Sequence, residues 1–97
     1  MTLRAAVIGA GAMGRHHARV FDALDDVDLV GVADPAAASR DWVARRFRVP
    51  VFADHRALLA EARPDLVSIV VPTAQHLGVA RDVIDAGVAL LVEKPIA

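Results

Sequence analysis

Short apolar runs alternate along this chain with longer segments in which apolar residues recur at helical spacing. Runs without interleaved polar positions are typical of strands that are covered on both faces of a sheet. The five runs span residues 3–8, 29–33, 51–52, 66–71 and 88–92. A segment long enough for a helix separates each run from the next, so the pattern predicts alternating strands and helices.

The first two intervening segments carry helix signals of different strength. In the first, a helical period appears at Met13, His17, Val20, Phe21 and Leu24. In the second the period is looser, and we expect Trp42 to pack in the core rather than serve as a platform for adenine. Arg15, just after the start of the first helix, is expected to be an exposed helix residue.

Local signals mark the ends of the other two predicted helices. The third should run from Asp54 to Ala62, because Pro64 disfavours helical backbone at the residue before it. The fourth should span residues 74–86, with Thr73 as its N-cap and Gly87 as its C-terminal stop.

This order of elements predicts an α/β fold with a parallel sheet that has helices on both faces. Right-handed crossovers favour a Rossmann-type doubly wound sheet of about five strands in the order 3-2-1-4-5. We find no linker or repeat inside residues 1–97, so the whole chain is interpreted as one domain.

Composition narrows the classes of partner. Eleven Lys and Arg residues against twelve Asp and Glu residues give a net charge of −1, which offers no electrostatic basis for binding nucleic acid or an anionic membrane. No apolar run reaches the roughly 18 residues of a membrane span. There is no cysteine, and calcium-loop spacing is absent, so no metal site is predicted. We expect a cytoplasmic protein.

The first strand leads into a glycine-rich loop. Gly9, Gly11 and Gly14 match the pattern G-x-G-x-x-G between a predicted strand and a predicted helix. The first glycine permits a tight turn, the second allows close approach of a pyrophosphate, and the third allows close packing of helix on strand. The backbone amides near Ala12 and Met13 would bind the phosphates at the helix N-terminus. Contact with a phosphate is also the alternative to an exposed position for Arg15.

An acidic residue completes this pattern. Asp34 lies 20 residues after Gly14, at the end of the second predicted strand, where a carboxylate accepts hydrogen bonds from the adenosine ribose. A role as a turn residue before Pro35 is the weaker alternative. The glycine loop and this residue together identify residues 1–97 as a dinucleotide-binding domain. The charge of Asp34 would repel a 2′-phosphate, so we expect NAD rather than NADP as the cofactor. Arg40 follows six residues later and could reach a phosphate, so NADP stays open as an alternative.

Four stretches of the chain resemble the N-terminal half of the Gfo/Idh/MocA oxidoreductases. They read AVIGAGAMGRHHARVF, GVADP, VVPTAQH and AGVALLVEKPIA. The resemblance covers essentially the whole chain, and its most specific part is the run from Pro72 to Pro95. The one departure noted is Thr73, where the family often has Asn.

The resemblance implies roles for five further residues. Pro72 and Thr73 would line the cofactor site, and His76 falls on the family's histidine in the following helix. A packed or capping role for His76 is an equal alternative. Glu93 would hydrogen-bond the ribose on the nicotinamide side. Lys94 would be the catalytic residue, placed between the nicotinamide and the reacting hydroxyl.

The implied function is that of a dehydrogenase which transfers hydride between NAD and a hydroxyl of a sugar, nucleotide sugar or cyclitol. The stretches VVPTAQH and VEKPIA are particularly similar to family members that act on nucleotide sugars, such as UDP-N-acetylglucosamine 3-dehydrogenases, and somewhat less similar to inositol dehydrogenases. The family's sixth strand and C-terminal substrate domain are expected to be absent from these 97 residues. We therefore expect no turnover by the chain alone, and self-association through an exposed sheet edge. The alternatives are a non-catalytic dinucleotide-binding module or decayed fragment with no turnover of its own, and a binder of flavin or S-adenosylmethionine.

Overall fold

The computed structural model describes residues 2–92 as five strands and four helices in strict alternation. The strands are β1 (Leu3–Ile8), β2 (Val27–Ala33), β3 (Val51–Phe52), β4 (Leu66–Ile69) and β5 (Ala89–Val92). The helices are α1 (Ala12–Ala23), α2 (Ala37–Phe47), α3 (His55–Ala62) and α4 (Thr73–Asp85). The predicted alternation is confirmed, and most element ends lie within two residues of their predicted positions.

All strand pairs are parallel, and the order across the sheet is β3-β2-β1-β4-β5. The predicted strand order is therefore confirmed. Ile8, the last residue of β1, is level with Ala33 of β2 and with Ile69 of β4. Because these three strands end together, the loops that follow them meet at one edge of the sheet.

Two apolar clusters cover the two faces of the sheet, as the continuous apolar strands predict. The cluster under α1 and α2 includes the buried residues Val7, Phe21, Val32, Val43 and Phe47. The cluster under α3 and α4 includes Ile8, Leu58, Val67, Ile69 and Val83. Neighbouring strand residues such as Val7 and Ile8 thus belong to opposite layers, in keeping with the two-residue period of a strand.

The α1 helix buries a different face from the one its apolar residues suggest. Its buried residues are Gly14, Ala18 and Phe21, while Met13, Val20 and Leu24 are exposed. At Gly14 the helix approaches β1 so closely that a larger side chain would not fit. Phe21, two turns later, packs in the core.

Trp42 is not a core residue, and that prediction was wrong. Its side chain is 38% exposed, and the neighbouring Val43 is the residue of α2 that is fully buried. The indole ring instead lies on the surface, edge-on to Phe47 at a centroid distance of 6.1 Å. The loose helical period of this segment could not distinguish these two adjacent positions.

The boundaries of α4 are partly as predicted. The helix includes Thr73, and Pro72 occupies the N-cap position without a side-chain cap, so the prediction of Thr73 as N-cap was wrong. The carbonyl of Pro72 accepts the first hydrogen bond, from the amide of Gln75 at 2.8 Å. Gly87 ends the helix as predicted, with φ of +75°. The amide of Val88 donates to the carbonyl of Val83 in a Schellman arrangement.

Candidate functional site

A cleft of about 620 Å³ lies where the loops after β1, β2, β3 and β4 meet. Residues from all four loops line it, among them Gly9, Gly11, Asp34, Pro35, His55, Arg56, Val71 and Pro72. Ligands of open α/β sheets bind at this position, outside the carboxyl ends of the strands. Gly9, Gly11, Asp34 and Pro72 are thus brought together at one cleft as predicted, whereas the predicted residues 12–14 are not among those that line it.

Gly9 and Gly14 are required by close contacts within the protein. Gly9 has φ of +105°, and a Cβ there would lie 2.1 Å from the carbonyl oxygen of Val70. A Cβ on Gly14 would lie 1.8 Å from the carbonyl oxygen of Gly9. Each side chain would collide with backbone, so these two glycines fix the turn and the closeness of α1 to β1.

Gly11 differs from both, because nothing within the described protein accounts for it. It is the N-cap of α1 with φ of −72°, a conformation open to any residue. A Cβ built on it meets no described residue within 4 Å other than its two chain neighbours, and it lines the cleft. Ala12 and Met13 follow in the first helical turn, whose amide groups have no acceptor within the helix. The space beside Gly11 therefore fits an anionic ligand that approaches the helix N-terminus.

Asp34 lies at the cleft and also holds two loops together. One carboxylate oxygen accepts a hydrogen bond from the amide of Ala10 at 2.7 Å, and the other accepts one from the amide of Ala36 at 2.8 Å. The side chain is half-buried, and each oxygen keeps a further lone pair for a ligand hydroxyl. Sequence reasoning ranked the role of turn residue below that of ligand contact, and it did not identify the hydrogen bond from Ala10.

Arg40 is engaged with backbone close to the same carboxylate. One Nη atom donates to the carbonyls of Asp34 and Pro35, at 2.9 Å each. The guanidinium therefore stabilises the turn after β2, because it donates hydrogen bonds to both of these backbone carbonyls.

His76 makes a capping contact. Its Nε2 donates to the carbonyl of Val71 at 2.5 Å, and the ring is half-buried outside the residues that line the cleft. Since a carbonyl only accepts, this bond fixes the proton on Nε2. Gln75, one residue earlier, does line the cleft. Sequence reasoning missed Gln75, although its place in the first turn of a helix that starts at the sheet's carboxyl edge could have signalled it.

A second group missed from sequence joins α3 to α4 at the wall of the cleft. His55 donates from Nε2 to a carboxylate oxygen of Asp82 at 2.7 Å, and Nε of Arg56 lies 3.4 Å from the same oxygen. The hydrogen bond from His55, helped by Arg56, lowers the pKa of Asp82 below its usual 3.8, against a smaller opposing effect of burial. The partners are 26 and 27 residues apart, so no local pattern indicates them.

The remaining predicted residues stand as follows. Pro72 is exposed at the cleft, and Thr73 begins α4 beside it. Glu93 and Lys94 lie outside the described residues, so their roles stay predictions. Within residues 2–92, no three carboxylate or imidazole side chains group closely enough to hold a metal ion. The helices in that part of the chain are also too short or too polar to cross a membrane.

Comparison with known proteins places this arrangement in context. Residues 3–97 match the Gfo/Idh/MocA family, an oxidoreductase family with an NAD-binding Rossmann fold. UDP-N-acetylglucosamine 3-dehydrogenase from Acidithiobacillus ferrooxidans is 44% identical over 93 residues, which is 96% of this chain and 28% of that protein. Inositol 2-dehydrogenase from Rhizobium meliloti is 35% identical over 96 residues, which is 99% of this chain and 29% of that protein.

Comparison with solved structures also finds similar dehydrogenases. Scyllo-inositol dehydrogenase from Lactobacillus casei, with bound NAD(H) and scyllo-inositol, is similar with a TM-score of 0.91 at 28% identity, over 100% of this chain and 29% of that one. The chain thus spans 28–29% of the length of these three relatives. Because the family match extends over residues 3–97 and the sheet has the expected strand order, the chain belongs to the Gfo/Idh/MocA family of oxidoreductases.

Proposed function

We propose that this chain is the NAD-binding portion of an oxidoreductase that transfers hydride between a nicotinamide cofactor and a hydroxyl of a sugar, nucleotide sugar or cyclitol. The observation that carries the proposal is the open space at Gly11, which lies at a helix N-terminus in the same cleft as the Asp34 carboxylate. A pyrophosphate and an adjacent ribose need this pair of features.

The cofactor would be held by groups already in place. The amides of Ala12 and Met13 would bind the pyrophosphate, and Asp34 would accept hydrogen bonds from the adenosine ribose. The nicotinamide end would extend toward Pro72 and Thr73, on the β4 side of the cleft. The bound cofactor supplies the hydride chemistry, and the chain supplies orientation and charge.

Charge at Asp34 favours NAD over NADP. At about 4 Å and an effective dielectric constant near 20, each unit of like charge on a 2′-phosphate would cost up to ~4 kcal/mol. Residues 35–39 contain no cation that could offset this repulsion. Arg40 is the next cation along the sequence, and its guanidinium donates to the backbone carbonyls of Asp34 and Pro35.

The substrate-side roles follow from the family resemblance. Lys94 would hydrogen-bond the reacting hydroxyl and stabilise negative charge that develops on its oxygen. Glu93 would bind the nicotinamide-side ribose, and His76 would keep the loop before α4 in place. Among substrate classes we favour a nucleotide sugar, since the Acidithiobacillus ferrooxidans relative is 44% identical.

Calorimetric titration tests the cofactor assignment. NAD, NADP and FAD are titrated into wild type, Asp34→Ala and the control Asp28→Ala, an exposed position on the same strand. We expect the wild type to prefer NAD, and Asp34→Ala to lose NAD affinity by about tenfold or more, because a charged hydrogen-bond partner is removed. Thermal unfolding is measured in parallel, because Asp34→Ala also removes the acceptors of two loop amides. Equal affinity for NADP, or tighter binding of FAD, would contradict the assignment.

A non-catalytic dinucleotide-binding module is the alternative. The 97-residue polypeptide by itself is expected to bind NAD weakly and not to oxidise a sugar, because Lys94 is the only substrate-side group that the resemblance places within it. An assay of NADH formation with UDP-N-acetylglucosamine or inositol checks this expectation. Steady reduction of NAD by these 97 residues would show that it is wrong.

A further inference from the structure

Arg15 is held in place by two partners, contrary to its expected role as an exposed helix residue. Its Nε donates to the carbonyl of Ala10 at 3.0 Å, and its guanidinium carbon lies 4.4 Å from the centroid of the Trp42 ring. The side chain is half-buried and does not line the cleft. The guanidinium therefore contacts the backbone of the glycine loop from outside the cleft, and it does not act on a ligand directly.

Ala10 is thereby fixed through both of its peptide groups. Its amide donates to the carboxylate of Asp34 at 2.7 Å, and its carbonyl accepts from Arg15. The residue is fully buried, and on its N-terminal side the amide of Gly9 donates to the carbonyl of Ala33 at 2.7 Å. A hydrogen bond to a charged group is stronger than one between neutral groups, so two charged side chains determine the path of the chain into Gly11.

Trp42 gives Arg15 its fixed position. A guanidinium over an indole ring is attracted to the face of that ring, and the contact also restricts the rotamers of the long side chain. Burial alone does not explain a tryptophan at this place, because the ring is 38% exposed on the outer side of α2. The contact connects α2 to the glycine loop, although the two segments are about thirty residues apart in sequence.

We infer that Arg15 and Trp42 are positioning residues that hold the Gly9–Gly11 loop in its ligand-binding conformation. The inference rests on the proposed function for its consequence, which is that the loop binds a pyrophosphate without first being ordered. A binding site that is already ordered does not lose conformational freedom when the ligand binds, so affinity rises. The contacts of Arg15 with Ala10 and with Trp42, together called the clamp, are a property of the protein without ligand.

Amide hydrogen exchange in the protein without ligand tests the clamp. The variants are Arg15→Met, which keeps the length of the side chain but removes its donors, and Trp42→Leu. Arg19→Met is the control, since this arginine lies one turn later on α1, is exposed, and has no described side-chain partner. We expect the protection of the Ala10 amide to fall about tenfold in Arg15→Met, with unchanged protection at Val67 in β4. Unchanged protection at Ala10 would overturn the inference.

Two further readouts separate this role from a merely structural one. Trp42 is the only tryptophan, so its emission should change in Arg15→Met and stay as in wild type in Arg19→Met. NAD affinity should fall about fivefold to tenfold in either single variant and no further in the double variant, because residues that act as one unit are not additive. Arg15→Lys, which keeps a donor and a charge, should recover part of the affinity.

The outcomes distinguish the inference from the proposed function. If the wild type binds no NAD, the proposed function fails, and hydrogen exchange at Ala10 still decides whether the clamp exists. If the wild type binds NAD and Arg15→Met binds it equally well, the role of the clamp in ligand binding is refuted. Additive losses in the double variant would likewise refute the link between Trp42 and the loop.

Discussion

Gly11 and Gly14 both lack a side chain, but for opposite reasons. Gly14 is confined by the protein, because a Cβ there would lie 1.8 Å from the carbonyl oxygen of Gly9. Gly11 has open space around it, since apart from its two chain neighbours no described residue would come within 4 Å of its Cβ. Because Gly11 also lines the cleft at the N-terminus of α1, a ligand that approaches closely there would require a residue without a side chain. The two positions therefore allow stability and ligand binding to be tested separately.

We predict that serine at these two positions has contrasting effects. Gly11→Ser should leave the free energy of unfolding within about 0.5 kcal/mol of wild type, because serine is a favourable N-cap in open space. Gly14→Ser should destabilise the fold by roughly 1–3 kcal/mol or more, because backbone must move to admit the side chain. Urea unfolding measures both values, and titration with NAD should show that Gly11→Ser has lost binding while it remains folded. Tight binding of NAD by Gly11→Ser would remove the main support for the proposed site.

At the scale of elements, α3 and α4 are joined by side chains and not only by the sheet beneath them. Asp82 of α4 accepts a hydrogen bond from His55 in the first turn of α3, and it lies near Arg56. Asp54 caps the same turn through the amide of Arg56 at 2.8 Å. Since His55 and Arg56 also line the cleft, this link helps to set the position of one wall of the site.

Asp82 should make stability depend on pH. Because the hydrogen bond from His55 lowers the pKa of Asp82 in the folded state, its contribution is fully present above the unfolded value of 3.8. That contribution is lost as the pH falls through the lower, folded pKa. We predict that Asp82→Asn has a lower melting temperature than wild type at pH 6, and that the two converge as the pH falls below about 3.8.

A neighbouring carboxylate provides the control for this prediction. Asp85 lies on the same helix and makes no side-chain hydrogen bond or ion pair within residues 2–92, so Asp85→Asn should melt like wild type throughout. Thermal unfolding followed by circular dichroism at a series of pH values measures all three proteins. A difference between wild type and Asp82→Asn that stays constant down to pH 3 would contradict the assigned pKa shift.

At the scale of the whole molecule, the two outer strands of the described sheet differ in length. β3 has two residues and β5 has four, so β5 offers the longer row of unpaired backbone groups. Leu91 on β5 is 47% exposed. A longer edge strand with exposed apolar side chains is more prone to pair with another chain.

We predict that the 97-residue chain self-associates through β5. Leu91→Lys should shift it toward monomer, because charge on an edge strand opposes pairing. Leu77→Lys is the matched control, since Leu77 is 73% exposed on α4 and does not lie on the sheet. Sedimentation velocity over a range of concentrations measures the effect. A monomeric wild type, or equal effects of the two substitutions, would show that β5 is not the contact.

The sequence alone determined the element order, the strand order and the edge of the sheet at which the candidate site lies. These features follow from local physics: the periods of apolar residues, the steric freedom of Gly9, and the stop signals at Pro64 and Gly87. Asp34 was identifiable because its distance from the glycine loop is fixed by one helix and one strand. The family resemblance added expected roles for Glu93 and Lys94, which remain predictions.

Tertiary structure decided what depends on residues distant in the chain. It placed Trp42 on the surface and Arg15 between Trp42 and Ala10, contacts that no local period encodes. It also determined that α1 buries Gly14, Ala18 and Phe21, because the close approach of Gly14 to the carbonyl of Gly9 sets the distance between the helix and the sheet. Spacing in the sequence indicates which residues come near the cleft, whereas hydrogen bonds between distant residues determine how rigidly they are held there.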